Sequence, residues 1–466
     1  MLVPQELVDW IIEFLHNDTA ALCACSLVSR NWLPSSSFHL FSCLRWPPCM
    51  QHQWAEESRG QAQVPCKCHM IANSETLAVV EALLSETARI AHNVKDLRIK
   101  MIYSMPRGGP DGVRLQYFHR TTSPSELMRI LGLASRVAKL EIESLQLVAE
   151  PPHAAPSLAR GVPRSLHTFH LASPVVPNGA HTSLLDILSH FRSISTFAFW
   201  GVFLPLDCMP PLPSPPAQRP SLSSLRIWFY ESQYGGGWLD LLHAHLDMTM
   251  LTSLTIKDSG LQLPGTDDPG TTPALHRILR ECKNLRSLTC VDSVFDGLLH
   301  YPTPCPTLRE FQSSNRRALT PVFCTWAEWE SFVAALSCPL MSTVQEATLA
   351  LTITRFTDLD GVSDARTLES VFGDMLKTWG WQSLDAAGGR LQAFTLDLKL
   401  RREEYAQWNI NGGMPVSANR DLVWDKDRCG AILADVMRDR LPALASRRVL
   451  HSRVTVLPDD RGACSC

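Results

Sequence analysis

The spacing of apolar residues along this chain changes once, near residue 75, and the change divides it. In the first 45 or so residues the spacing is helical. Pro4 suits a helix's first turn, where its missing N–H costs nothing. From there Leu7, Ile11 and Leu15 fall on one stripe, Val8 and Ile12 lie beside it, and Trp10 and Phe14 widen the apolar surface. Asn17 or Asp18 can cap a second helix that carries Leu22, Cys25, Leu27 and Val28, and Phe38, Leu40 and Phe41 close the unit. So few residues cannot bury a self-sufficient core, yet they hold more apolar side chains than one small core can hide. The surplus is expected to face the rest of the chain or a partner.

From about residue 75 a different phrase recurs, apolar-x-x-apolar-x-apolar. It appears as Val94-x-x-Leu97-x-Ile99, Val137-x-x-Leu140-x-Ile142, Leu166-x-x-Phe169-x-Leu171 and Ile194-x-x-Phe197-x-Phe199. It returns at Leu222/Leu225/Ile227, Leu251/Leu254/Ile256, Leu285/Leu288/Cys290 and Leu391/Phe394/Leu396, with a weaker copy at Leu308/Phe311 and a possible strand within Val344–Ile353. From Leu140 through Phe169, Phe197, Leu225 and Leu254 the steps are 29, 28, 28 and 29 residues, a period that belongs to leucine-rich repeats. Helical patterns precede several strands: Glu75–His92, Ser125–Arg136, Thr182–Arg192, Trp238–Asp247, Ala274–Cys282, Trp326–Ser337 and Arg366–Thr378. Helix and strand alternating at this spacing predict an α/β solenoid with parallel strands on its concave face. A separate α/β domain is the structural alternative. The run Pro205–Pro220 is too rich in proline for a helix and reads as a stiff crossover.

Composition narrows the function. The chain has 466 residues, 45% hydrophobic and 19% charged, enough apolar content for a substantial core. A net charge of −3 argues against a nucleic-acid-binding surface. There is neither a signal-peptide pattern nor an apolar run long enough to cross a membrane, so the expected location is cytoplasmic or nuclear, with the fifteen cysteines reduced and mostly buried. Cys49, His52, Cys66, Cys68 and His69 lie in an irregular Cys-rich linker, 46–74, but their spacing is poor for zinc, and no metal or cofactor is expected. His243 and His245 fall on different helix faces. No nucleophile elbow, Walker loop, H-E-x-x-H or C-x-x-C pair occurs, so no catalytic residue is expected and the chain reads as a non-enzyme.

Val3-Pro4-Gln5-Glu6-Leu7, Ile11, Leu15, Cys25-Ser26-Leu27-Val28-Ser29-Arg30 and Trp32 together resemble an F-box, in the version found in many fungal F-box substrate receptors. The resemblance covers roughly the first tenth of the chain and departs at Val3, where the family usually has leucine. It implies a three-helix F-box over 1–45 that docks a Skp-type adaptor, and through it cullin and RING subunits of a ubiquitin ligase. The matching contact positions are Pro4, Leu7, Ile11, Leu15, Leu27, Val28 and Trp32. The repeats, 75–400, resemble the irregular leucine-rich kind that often follows an F-box, since the asparagine that often closes such repeats is mostly absent. A C-terminal cap region over 401–457 and a tail over 458–466 complete the organisation.

Within each strand, residues between the buried positions point the other way. That rule selects Arg98 and Lys100, Glu141 and Glu143, His170, Trp200, Arg226 and Trp228, and Lys257 as the exposed inner face. Of these, Arg98, Lys100, Trp200, Arg226, Trp228 and Lys257 are the expected contacts to a client protein. Trp200 and Trp228 stand one repeat apart and occupy the same slot. A scaffold that binds a partner without ligase assembly, its first helices serving only as a cap, is the competing expectation.

Overall fold

The structure is a computed structural model and describes residues 4–46, 76–100, 102–107, 114–143, 145–147, 164–172, 181–200, 219–229, 235–258, 271–290, 301, 303–314, 332–354, 376, 381–401 and 426–457. It is a mixed helix-and-sheet protein that divides into two compact units, Met1–Arg226 with Asp240–Met248, and Ile227–Leu239 with Thr249–Ser465.

Three helices open the chain: α1 (Gln5–Phe14), α2 (Thr19–Val28) and α3 (Leu33–Phe41). Then come β1 (Cys43–Trp46), α4 (Thr76–Glu86), α5 (Ala88–Asn93), β2 (Asp96–Lys100), β3 (Ile102–Arg107), β4 (Arg114–Thr122), α6 (Pro124–Leu133), β5 (Lys139–Glu143), β6 (Leu145–Leu147) and β7 (Arg164–Ala172). They are followed by α7 (His181–Ser189), β8 (Phe191–Trp200), β9 (Ser221–Phe229), α8 (Gly235–His245), β10 (Ser253–Asp258), α9 (Thr271–Glu281), β11 (Ser287–Cys290) and β12 (Glu310–Ser314). The chain continues through β13 (Glu346–Thr354), α10 (Trp381–Ala387), β14 (Ala393–Arg401), α11 (Lys426–Arg440), α12 (Pro442–Ser446) and β15 (Leu450–Leu457). Twelve strands form one parallel sheet in the order β1-β2-β5-β7-β8-β9-β10-β11-β12-β13-β14-β15. The strands thus follow chain order, and β3, β4 and β6 form a separate small sheet.

In the first unit the recurring phrase sets the register. Leu44, Leu97, Leu140, Phe169 and Phe197 stand opposite one another across successive strands, and Ile99, Ile142, Leu171 and Phe199 form the next row. From Leu97 and Ile99 onward, both rows are buried. The Phe169 and Phe197 rings lie 5.3 Å apart. A one-residue slip would turn both rows to water, so burial fixes this register. Helices return the chain between strands with ordinary capping chemistry. Ser123 accepts from the Glu126 N–H at 3.2 Å, and Pro124 stands in the first turn of α6. Arg129 on α6 pairs with Glu81 on α4 at 2.9 Å.

The second unit repeats the device. Leu254, Leu288, Phe311, Ala347 and Phe394 share one row, and all are buried. The Phe311 and Phe332 rings stack at 5.6 Å. Thr343 Oγ1 donates to the carbonyls of Cys305 and Leu308 at 2.7 and 2.9 Å, fixing the turn that leads into β13. The Asp385 carboxylate accepts from the N–H groups of Ala443 and Leu444, both at 3.1 Å, at the start of α12.

Several expected details differ or go unseen. The expected helix Thr182–Arg192 stops at Ser189, because Phe191 and Arg192 already belong to β8. Trp46, expected in the linker, instead closes β1. The Pro205–Pro216 run, the Cys-rich segment from Cys49 to His69, the Arg366–Thr378 helix apart from Leu376, and the tail all lie outside the described residues.

Candidate docking surfaces

The N-terminal helices build their own small core. Val8, Ile12 and Leu22 are almost fully buried, with Leu15, Trp32 and Leu40 packed against them. Polar contacts lock the arrangement. Asp18 caps α2 by accepting from the Ala21 N–H at 2.9 Å. Asp9 accepts from Gln5 at 2.8 Å and from the Ser35 hydroxyl, contacts that hold its carboxyl below the usual carboxylate range, the Ser35 bond first. Gln5 also donates to the Asn31 carbonyl at 3.1 Å, and His39 lies 3.2 Å from Glu13.

Once this core is filled, a second apolar surface remains. Leu7, Trp10, Ile11 and Phe14 lie within about 100° of arc on α1. They are 50%, 62%, 39% and 70% exposed, while Leu27 and Val28 at the end of α2 are 87% and 65% exposed. The Trp10 and Phe14 rings meet edge to face at 4.8 Å. Of the seven positions selected by the F-box resemblance, Pro4, Leu7, Ile11, Leu27 and Val28 are exposed, whereas Leu15 and Trp32 are half-buried against the internal core. Trp10 and Phe14 join the open surface although the resemblance did not select them. Their i, i+4 spacing beside Leu7 and Ile11 was the available signal.

The unit is also joined to the sheet. Strand β1 pairs with β2, the Ser42 carbonyl accepts from the N–H groups of Lys95 and Asp96 at 2.9 Å, and Lys95 Nζ stands 4.4 Å over the Phe38 ring.

On the polar side of β2, β5 and β7 a charged cluster forms. Arg98 lies 2.8 Å from Asp96 and 3.6 Å from Glu141; Lys139 lies 3.6 Å from Asp96 and 3.7 Å from Glu141. His170 Nδ1 lies 3.7 Å from Glu141. Hydrogen bonding to His170, then the charges of His170, Arg98 and Lys139, overcome the cost of burial and hold the Glu141 carboxyl down to about 2. Bonding to Asp96 raises the Arg98 guanidinium further. Arg98 therefore already serves two carboxylates of its own chain.

The other expected client contacts are spread along the sheet. Arg226 is exposed and Trp228 half-buried on β9. Lys100, Trp200 and Lys257 stand on β2, β8 and β10, with Trp200 opposite Ala172, and their side chains lie outside what the structure describes. The register between β8 and β9, on which the pairing of Trp200 with Trp228 depends, is likewise outside it.

Burial pushes the Cys282 thiol up to about 12 and the Cys290 thiol higher still. His245 is buried with its ring 3.0 Å from the Leu241 carbonyl. Among the described residues no group of His, Cys, Asp or Glu could hold a metal ion, and no helix is long and apolar enough to cross a membrane. Comparison with protein-family models and with curated proteins returns no match.

Proposed function

We propose that this protein is the substrate-recognition subunit of an SCF-type cullin-RING ubiquitin ligase. Residues 1–45 act as an F-box that docks a Skp-type adaptor, and the sheet, read as an irregular leucine-rich-repeat solenoid over 75–400, holds a client. The observation that carries this reading is the open apolar surface of Leu7, Ile11, Leu27 and Val28 on helices whose internal core is already complete. Each such side chain, if covered by a partner, contributes on the order of 1.5–3 kcal/mol. The subunit does no covalent chemistry; it supplies proximity between a client and a ubiquitin-charged enzyme.

A second reading, a repeat scaffold without ligase assembly, draws on the pairing of β1 with β2 and the Lys95–Phe38 contact, which make the helices a cap on the sheet. A cap alone gives no role to Leu27 and Val28, which stay exposed. Co-purification with a Skp-type adaptor separates the two. The receptor reading expects the intact chain to be retained and a Leu27→Asp, Val28→Asp variant, folded by circular dichroism, to be lost. Equal retention, or retention of neither, contradicts it.

A further inference from the structure

In the second unit the polar side of the sheet differs from the charged cluster on β2, β5 and β7. Across six neighbouring strands, β10 to β15, Thr255, Thr289, Gln312, Thr348, Thr395 and His451 stand opposite one another in a single row. The first five alternate with buried neighbours such as Leu254, Leu288, Phe311, Ala347 and Phe394, while His451 lies between half-buried Leu450 and exposed Ser452. Gln312 and His451 are exposed and the four threonines half-buried. None of the six side chains has a hydrogen-bond partner among the described residues. Two residues before Gln312 and Thr348, on the same side, Glu310 and Glu346 face each other in register on β12 and β13. Both are exposed and neither has an ion pair among the described residues. Their lateral neighbours in register, Ser287 and Ala393, are uncharged. Like charges directly opposite on adjacent strands are unfavourable, and a cation between them would offset this.

We propose that this face binds an extended polar peptide segment whose one charged side chain is a lysine or arginine. The hydroxyl and amide row takes the peptide's backbone and polar side chains, and the Glu310–Glu346 pair takes the cation. Six strands at about 4.8 Å span about 24 Å, the length of roughly seven extended residues. The inference names the client class for the receptor reading and rests on it for biological meaning, while the peptide contact itself needs no adaptor.

The test uses the full chain and three fluorescein-labelled heptapeptide libraries of randomised Ser, Thr, Asn and Gln, with a central position fixed as Lys/Arg, Ala or Glu. Fluorescence polarisation should rank Lys/Arg above Ala and Ala above Glu. A Glu310→Ala, Glu346→Ala variant should weaken Lys/Arg binding about three- to tenfold and remove the ranking. A Glu310→Lys, Glu346→Lys variant should invert it. Equal binding of all three libraries, no binding of any, or a ranking that survives the double alanine variant overturns the inference. Adaptor retention measured on the same preparations reports separately on the receptor reading.

Discussion

The N-terminal helices and the sheet handle their apolar residues differently. Along the sheet the recurring positions are buried almost without exception, Leu97, Leu140, Phe169, Phe197, Leu254, Leu288, Phe311 and Phe394 among them. In contrast, six of the eight large apolar side chains exposed among the described residues lie between Leu7 and Val28; the other two, Leu133 and Met250, are scattered. Single exposed apolar residues are ordinary, whereas six on two short helices stand out, which is why the proposed adaptor site is placed there. Among the described residues, the sheet buries its recurring apolar positions, while the helices leave theirs exposed on α1 and at the end of α2.

Truncation tests this contrast most strongly. Phe197→Ala should cost about 3–5 kcal/mol of stability by leaving a cavity in the core on the buried face of the sheet. Phe14→Ala, a ring of the same size on α1, should stay within about 0.5 kcal/mol. Denaturant unfolding of both variants checks the pair, and similar losses would erase the distinction.

Acid sharpens it on the polar side. The folded Glu141 carboxyl is held at about 2 against an ordinary 4.5, so its stabilising effect is complete above pH 4.5 and is lost as pH falls from there toward 2. With Glu141 partly open to solvent, the effect at neutral pH is on the order of 1–2 kcal/mol. A Glu141→Gln variant should therefore be less stable than the parent at pH 7 and converge with it near pH 2. Parallel stability–pH curves would contradict the cluster. Smallest of all, Glu310→Gln or Glu346→Gln should raise stability by about 0.2–1 kcal/mol by removing the opposed charges, read as a higher unfolding midpoint.

Much of the sheet was legible in the sequence because its strands are buried on one side and alternate strictly. Even the weak copy at Phe311 proved to be β12, and the possible strand near Val344–Ile353 proved to be β13. Strand β1 was not legible: four residues, Cys43-Leu44-Arg45-Trp46, are too short to display a period. The pair β3 and β4 was missed because Ile102–Arg107 and Arg114–Thr122 do not carry the recurring phrase. The ion cluster was partly legible: alternation placed Arg98, Glu141 and His170 on one face, but Asp96 and Lys139, at the start of their strands, joined them only through the register. Helical spacing revealed the stripe on α1 but not which side would face inward; Leu15, just after α1, and Trp32, just before α3, both selected through the resemblance, are half-buried against the internal core.

The central claim is that the exposed apolar surface of α1 and α2 is an adaptor site. Isothermal titration of the full chain with a purified Skp-type adaptor at several temperatures tests it most directly. The account predicts a Kd of about 1 μM or tighter, near −8 kcal/mol, with a negative heat-capacity change as apolar surface is buried. A chain that folds, stays monomeric and shows no binding at micromolar concentrations would contradict it.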